Sequence, residues 1–456
     1  MENNENNGNL FQQISRWIRE SVTLKLAVLV FLVLLLLIPS AWIQGVIDDR
    51  QSYSYEATED ITRKWSDEQT LTGPVLIIPF TRTYPVGNEP KTGEEVMRTA
   101  EDRLILLPEK MTANAALDPQ TLKRGIFDVN VYSSEISMHA SFSPPDWSRY
   151  DIDPQRIDWR KAYLAVGISD MRGMYADPVC SLNKETYTAE AYSGLPEMGD
   201  SYSSPFANGI RIRLEDSAAR AAFDCDIQIG LKGSRSFFML ASGQNSSIEM
   251  TGNWPDPSFS GYFLPDDRDV TDSGFTASWN ILKFTRPLPE AWISNIPDIE
   301  NTGVGVELMS AVNDYQRTSR TSKYGALIII FTFLGLFLTE LISRIRVHPF
   351  QYVLIGVALV IDYTLLLSIS EQLGFNTAYL ISSLATTALI ALYTRSFSSW
   401  RVTGLLAALL VIFYTFIYII INQQDYALLL GSFGLFVAVG ALMFLTRKVN
   451  WYGKEL

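Results

Sequence analysis

Six apolar segments, residues 24–44, 324–342, 350–370, 378–394, 402–421 and 426–445, constrain this 456-residue chain more than any other feature. Each falls within the roughly 17–25 residues needed to cross a hydrocarbon core about 30 Å thick. The expectation is an integral membrane protein with six transmembrane α-helices, one leading and five trailing as a bundle. Residues 45–323 interrupt the series.

Basic residues set the orientation, because short loops rich in Lys and Arg stay cytoplasmic. Arg16, Arg19 and Lys25 flank the first span, Arg344 and Arg346 follow the second, Arg395 and Arg401 the fourth, and Arg447, Lys448 and Lys454 the sixth. The alternate loops 371–377 and 422–425 carry no basic residue. Residues 1–23 and the 446–456 tail are therefore expected in the cytoplasm, and 45–323 on the periplasmic side. Arg317, Arg320 and Lys323 oppose this arrangement, but they adjoin a long translocated domain, where the rule weakens and lipid phosphates are at hand. The apolar core at 26–38 is followed by no small-x-small cleavage site, so the first span reads as a retained signal anchor.

The interruption is large enough for one or two domains. It holds 41 acidic and 27 basic side chains in a chain of net charge −12, which argues against a nucleic-acid partner. Its period is that of strands. Phe223, Cys225, Ile227, Ile229 and Leu231 alternate with polar residues, as do Ile136, Met138, Ala140 and Phe142, and Ile210, Ile212 and Leu214. The runs 75–80 and 104–107 read as strands buried on both faces. The fold expected is β-rich, an antiparallel sandwich of one or two modules. Phe127-Asp-Val-Asn-Val resembles Phe223-Asp-Cys-Asp-Ile, either as a duplication or as two ordinary strands. Cys180 and Cys225 stand either as a disulfide or as buried thiols.

Catalytic signatures fail on inspection. Ser181-x-x-Lys184 and Lys91-Thr92-Gly93 imitate two boxes of penicillin-binding proteins, but in reversed order. There is no G-x-S-x-G, phosphate-binding loop or H-E-x-x-H, and no metal or cofactor set. His139, one of two histidines, falls on the polar face of a strand.

Ionisable groups within a bilayer are costly and mark sites. Asp362 lies mid-span and needs a polar partner, with Thr386, Thr387, Tyr414 and Tyr418 as candidates. It reads either as a structural hydrogen bond or as a proton or ion relay. Glu340, near the cytoplasmic face, is expected to pair with Arg344 one turn on. Gly404 with Ala408, Ala427 with Gly431 and Gly434 with Ala438 suit close helix packing. Outside the membrane, the run 254–265 concentrates Trp254, Phe259, Tyr262 and Phe263 between prolines. These aromatics either cap the sandwich core or form a surface for a partner.

Several segments carry a family resemblance. They are Leu71-Thr-Gly-Pro-Val-Leu-Ile-Ile-Pro-Phe80, the Trp254-Pro-Asp-Pro-Ser-Phe-Ser-Gly run, Gly274-Phe-Thr-Ala-Ser-Trp279, Lys323-Tyr-Gly325, His348-Pro-Phe-Gln-Tyr352, Ser368-Ile-Ser-Glu371, Asp425-Tyr-Ala-Leu-Leu-Leu-Gly-Ser432 and Leu445-Thr-Arg-Lys-Val-Asn-Trp-Tyr452. In order and over nearly the whole chain they resemble the CreD family of cell envelope integrity inner membrane proteins. The resemblance implies an inner-membrane location, a link to envelope integrity and stress, and tolerance of certain colicins. It implies no catalytic residues and no cofactor. Gln372 stands where the family pattern has His after Ser-x-Ser-Glu, and Asp362 where an aromatic is usual. Those departures speak against a shared His–Glu chemistry and make Asp362 a local feature.

Three functions follow as expectations. The first is a non-enzymatic envelope protein embedded in the lipid bilayer, whose sandwich meets a periplasmic or inner-membrane protein partner. The second is a transporter or channel using Asp362. The third, a periplasmic hydrolase, rests only on scattered Ser and Lys. No oligomeric state follows from the sequence.

Overall fold

The computed structural model describes residues 22–88, 95–193, 206, 208–215, 220–286, 288–293, 299–308, 314–343, 347–423 and 426–447. Arg16, Arg19, Arg344, Arg346, Lys448 and Lys454, the Lys91-Thr92-Gly93 motif, and nearly all of the two terminal segments lie outside the described residues. Two compact units are present, one of Met1–Tyr55 with Val312–Leu456, the other of Glu56–Ala311.

The first unit is helical: α1 (Val22–Trp65), of which the part up to Tyr55 belongs to this unit, α2 (Asp314–Ser343), α3 (Pro349–Leu373), α4 (Phe375–Arg395), α5 (Trp400–Asn422) and α6 (Ala427–Thr446). The first five are long and apolar enough to cross a membrane, and α6 is apolar over Ala427–Ala441. Two helices outrun their apolar runs. α1 continues past residue 44 because its polar half is held by i,i+4 pairs, Gln44 with Asp48, Arg63 with Glu59 and Lys64 with Asp60. α2 starts at Asp314, so Arg317, Arg320 and Lys323 occupy its first turns and not a domain tail. Apolar content marks where a helix meets lipid, whereas side-chain pairing decides where it stops.

His348-Pro-Phe-Gln351 opens α3 as a capping box: Phe350 N–H donates to His348 Nδ1 at 3.2 Å and His348 N–H to Gln351 Oε1 at 2.9 Å. Pro349 takes the first helical position, where no donor is needed. Leu36, Phe333, Leu359, Leu366, Ala378, Leu410 and Ile417 form the unit's buried core. Gly356 lets Leu36 and Phe333 close in, and a Cβ there would lie 2.1 Å from Leu36 Cδ1. Of the three small-residue pairs, Gly434 sits against the Phe416 ring, whereas Gly404 and Gly431 face open space. Spacing alone did not distinguish packed small residues from open ones.

The second unit is a pair of packed sheets. Among the described residues the first sheet has nine strands. Seven run in the order Pro257–Gly261, Gly303–Leu308, Ser236–Leu240, Gln69–Asn88, Tyr163–Ile168, Asn208–Arg213 and Ala189–Ser193, with Glu95–Leu106 and Ala291–Ile293 pairing off that path. The second has eight: Asp267–Thr271, Gly274–Ile281, Asn245–Gly252, Lys110–Arg124, Phe127–Phe142, Phe223–Ser234, Val179–Leu182 and Glu185–Tyr187. Pairing is antiparallel except for one parallel pair in each sheet, Gln69–Asn88 beside Ser236–Leu240 and Lys110–Arg124 beside Asn245–Gly252. The sandwich is therefore mixed.

The alternating apolar sets at 136–142, 210–214 and 223–231 all point into the core between the sheets. Residues 75–80 are buried throughout, with Leu76, Ile78 and Phe80 in that core. Val75 and Ile77 face a second cluster with Ile105, Leu107, Leu288 and Trp292. The similar segments at 127 and 223 begin neighbouring antiparallel strands in which Phe223 pairs with Phe142. Cys180 and Cys225 are free, buried thiols.

Candidate functional site

Three polar features stand out against this apolar framework. The first is Asp362, 2 % exposed in the middle of α3. Thr386 of α4 donates its hydroxyl to Oδ1 at 3.0 Å and Tyr414 of α5 donates to Oδ2 at 3.0 Å. Two of the four expected partners thus converge on it. Tyr418 instead donates to Asn376 Oδ1 at 3.2 Å, and Thr387 is buried without reaching the carboxylate. Tyr379 bonds the Tyr414 carbonyl at 2.7 Å and stacks obliquely on Tyr418, fixing the Tyr414 backbone. One carboxylate thereby ties three helices together.

This arrangement carries a prediction. Asp362→Leu leaves two buried hydroxyls unpaired and costs about 2–4 kcal/mol of helical-unit stability, whereas Asp362→Asn keeps an acceptor and costs about 1 kcal/mol. Unfolding of the purified protein in mixed micelles reads both. Equal losses would show that the charge, and not the acceptor, matters.

The second feature is a pair of ionic clamps toward opposite ends of the helices. Toward one end Lys25 of α1 donates to Glu340 Oε1 of α2 at 2.7 Å, and Tyr352 of α3 donates to Glu340 Oε2 at 3.3 Å. The described partners of Glu340 thus come from other helices, and its expected partner Arg344 lies outside the described residues. Toward the other end Arg50 of α1 grips Glu371 of α3 bidentately, Nε to Oε1 at 2.7 Å and Nη2 to Oε2 at 2.8 Å, and Tyr315 of α2 donates to Oε1 at 3.0 Å. Tyr352 and Glu371 are about 28 Å apart along α3, close to one hydrocarbon thickness, and Asp362 lies midway. The spans 324–342 and 350–370 lie between these clamps. Sequence reasoning missed Arg50 and Tyr315; the signal was a lone Arg just beyond the first apolar run.

The third feature lies in the sandwich unit. On the outward face of the eight-stranded sheet a groove of about 510 Å³ is lined by Asn114, Glu135, Ser137, Gln228, Glu249 and Thr251, with Tyr175 and Asp177 on its wall. Tyr175 lies flat against the backbone of Gly230, where a Cβ would meet its ring at 2.8 Å. Its hydroxyl donates to the Ser134 carbonyl at 3.4 Å, and the ring remains 44 % exposed. Its polar lining is hydroxyl, amide and carboxylate without a Lys or Arg, beside apolar residues such as Ala116, Ile136 and Val179.

The aromatic run behaves otherwise. Phe259 packs edge-on to Phe275 and Trp279, Trp279 Nε1 donates to the Phe263 carbonyl at 3.1 Å, and Trp254 packs on the same core. Three of the four singled-out aromatics are thus committed to packing, and Tyr262 alone projects, at 58 % exposure. His139 sits on the polar face, with Nδ1 2.8 Å from Asp226 Oδ1. Ser181 is in a strand, and Lys184 in the turn that follows, with φ of 74°. Among the described residues no group of three His, Cys, Asp or Glu side chains is placed to hold a metal ion.

Apolar helices clamped across one hydrocarbon thickness, joined to a large mixed β sandwich, define a polytopic membrane protein with a substantial extramembrane domain. The chain belongs to the CreD family: residues 21–452 match the family described as Inner membrane protein CreD. It is similar to Inner membrane protein CreD of Escherichia coli (strain K12), 33 % identical over 429 residues covering 93 % of this chain and 92 % of that protein.

Proposed function

We propose that this inner-membrane protein supports envelope integrity through a non-enzymatic binding module, its β unit lying on the periplasmic side. The groove under Tyr175 carries the reading. Its volume falls in the range of ligand sites, and one aromatic beside hydroxyl, amide and carboxylate groups suits recognition of a partner. Orientation rests on the ten Lys and Arg residues that flank the spans on one side. The partner is a periplasmic or inner-membrane protein, met at the groove and not at the packed aromatics.

Topology has a direct test. Burial raises the native thiols to about 11 at Cys180 and about 12 at Cys225, so neither reacts near neutral pH. Ser137→Cys in the groove is expected to label with a membrane-impermeant maleimide on intact spheroplasts, while the native chain stays silent. Labelling only after lysis would place the β unit in the cytoplasm. Tyr175→Ala is then expected to reproduce the envelope defect of a null strain at unchanged protein level.

A second reading, a transporter or channel, draws on the hydroxyl-lined Asp362. Under it Asp362→Asn abolishes flux while the fold persists.

A further inference from the structure

Arg286 is an anomaly in the sandwich unit. Its side chain belongs to a residue only 5 % exposed; among the described residues Nη1 is buried without a hydrogen-bond partner and Nε reaches only the Gln244 carbonyl, at 3.5 Å. Burial lowers the guanidinium to about 10, and Glu290 pulls it back up, so at neutral pH it is still a cation. Glu290 cannot serve as its dedicated counter-ion. That carboxylate already takes Lys283 Nζ at 3.1 Å on Oε1 and Arg149 Nη1 at 3.6 Å on Oε2. Arg149 in turn has Asp146 at 3.7 Å. Three cations thus share one central carboxylate, in a domain that is otherwise acidic. A buried charge without its own partner is expensive unless a ligand supplies the opposite sign.

The same turn is apolar on its outside. Leu282 is 55 % and Phe284 89 % exposed, and the turn is closed by Thr285, whose N–H and hydroxyl donate to the Leu282 carbonyl at 3.0 and 2.8 Å. Lys283 lies 5.5 Å from the Phe284 ring. A fixed turn that shows two large apolar side chains beside an excess of positive charge suits a molecule with an anionic head and an apolar body.

We propose that Arg286, with Lys283, forms a binding site for an anionic amphiphile, its phosphate or carboxylate head held by the guanidinium and ammonium and its apolar part lying on Leu282 and Phe284. Arg286 supplies a planar pair of donors that a head-group oxygen satisfies, and Lys283 supplies a second, mobile charge. The site is separate from the groove under Tyr175. It lies toward the Lys110 and Asn245 ends of their strands, since Gln244 N–H donates to the Pro108 carbonyl at 2.7 Å.

Thermal melting of the detergent-solubilised full chain tests the site, with inorganic phosphate and hexyl phosphate as probes. Hexyl phosphate is expected to raise Tm at about tenfold lower concentration than phosphate, because a Phe and a Leu gain contact. Arg286→Gln is expected to lose the response to both. Lys283→Gln, an exposed change, weakens both about three- to tenfold. Phe284→Ser removes the advantage of the hexyl chain and leaves the phosphate response. An undiminished response in the Arg286 or Lys283 variant, or no response in the native chain, overturns the proposal. Equal potency of the two probes reduces the site to one for a free anion and overturns its amphiphile part.

Discussion

Glu371→Ala is expected to destabilise the helical unit by about 3 kcal/mol, because it removes the carboxylate that the Arg50 guanidinium and the Tyr315 hydroxyl share in a partly buried site. Arg50→Ala is expected to cost about as much, for the converse reason: Glu371, with a side chain only 11 % exposed, loses the cation that holds both its oxygens. The double variant Arg50→Met with Glu371→Met removes both charges and is expected to recover most of the loss. Unfolding in mixed micelles for the two single variants and the double one measures the coupling. Additive losses would mean that the clamp contributes nothing beyond its separate residues. The clamp gathers α1, α2 and α3 at one level, so a loosened site also makes those helix ends easier to cleave by added protease.

The second large effect sits in the sandwich unit at Asp170. Its carboxylate accepts Ser66 Oγ at 3.0 Å, Asp67 N–H at 2.9 Å, Arg172 N–H at 3.1 Å, and Arg172 Nε and Nη2 at 2.9 and 2.8 Å. Gln69 extends the knot by donating to the Asp170 and Lys232 carbonyls, both at 2.9 Å. Burial by itself would raise the Asp170 carboxyl, but the bonds from Arg172, the backbone amides and Ser66 outweigh it and hold the group well below the usual carboxylate range.

A carboxyl lowered on folding stabilises the folded state above its unfolded value, near pH 4, and that contribution fades as pH falls through the folded value. Asp170→Asn puts an amide donor against the Ser66 and backbone donors and is expected to cost about 3 kcal/mol at pH 7. It is also expected to flatten the acid limb of β-unit unfolding below about pH 4. Circular dichroism against pH for both chains provides the check. An acid limb of unchanged slope in the variant would remove Asp170 from the account.

Much of this was legible in the chain. The apolar runs announced the spans, and alternation at 136–142 and 223–231 announced strands with one buried face, since both are consequences of residues three or four apart, or two apart, sharing a side. His348-Pro-Phe-Gln351 was visible as a segment, and its capping role follows from residues three positions apart. Asp362 was legible because a carboxylate in lipid demands a donor, and hydroxyls at the depth of Thr386 and Tyr414 were near at hand. Which hydroxyls would answer was not legible, because helix rotation is set by packing.

The aromatic run 254–265 was ambiguous on its face. Large apolar rings suit a core and a surface equally, and it took Phe275 and Trp279, brought close by strand pairing, to commit Phe259 to the interior. The parallel pairs were also beyond reach, since period two is the same whichever way a neighbour runs.

Local pattern alone determined that this chain enters a membrane, that a β-rich domain of net negative charge interrupts its spans, and that a carboxylate stands in mid-bilayer. Only the tertiary structure decided the clamps, the groove and the buried Arg286. Arg50 and Glu371 are separated by 321 positions, and Ser66 and Asp170 by 104. Over such distances no periodicity links one residue to another. Those contacts exist because burial of the two cores fixes helix rotation and strand order, and charge and hydrogen-bond partners are then whatever that packing leaves face to face.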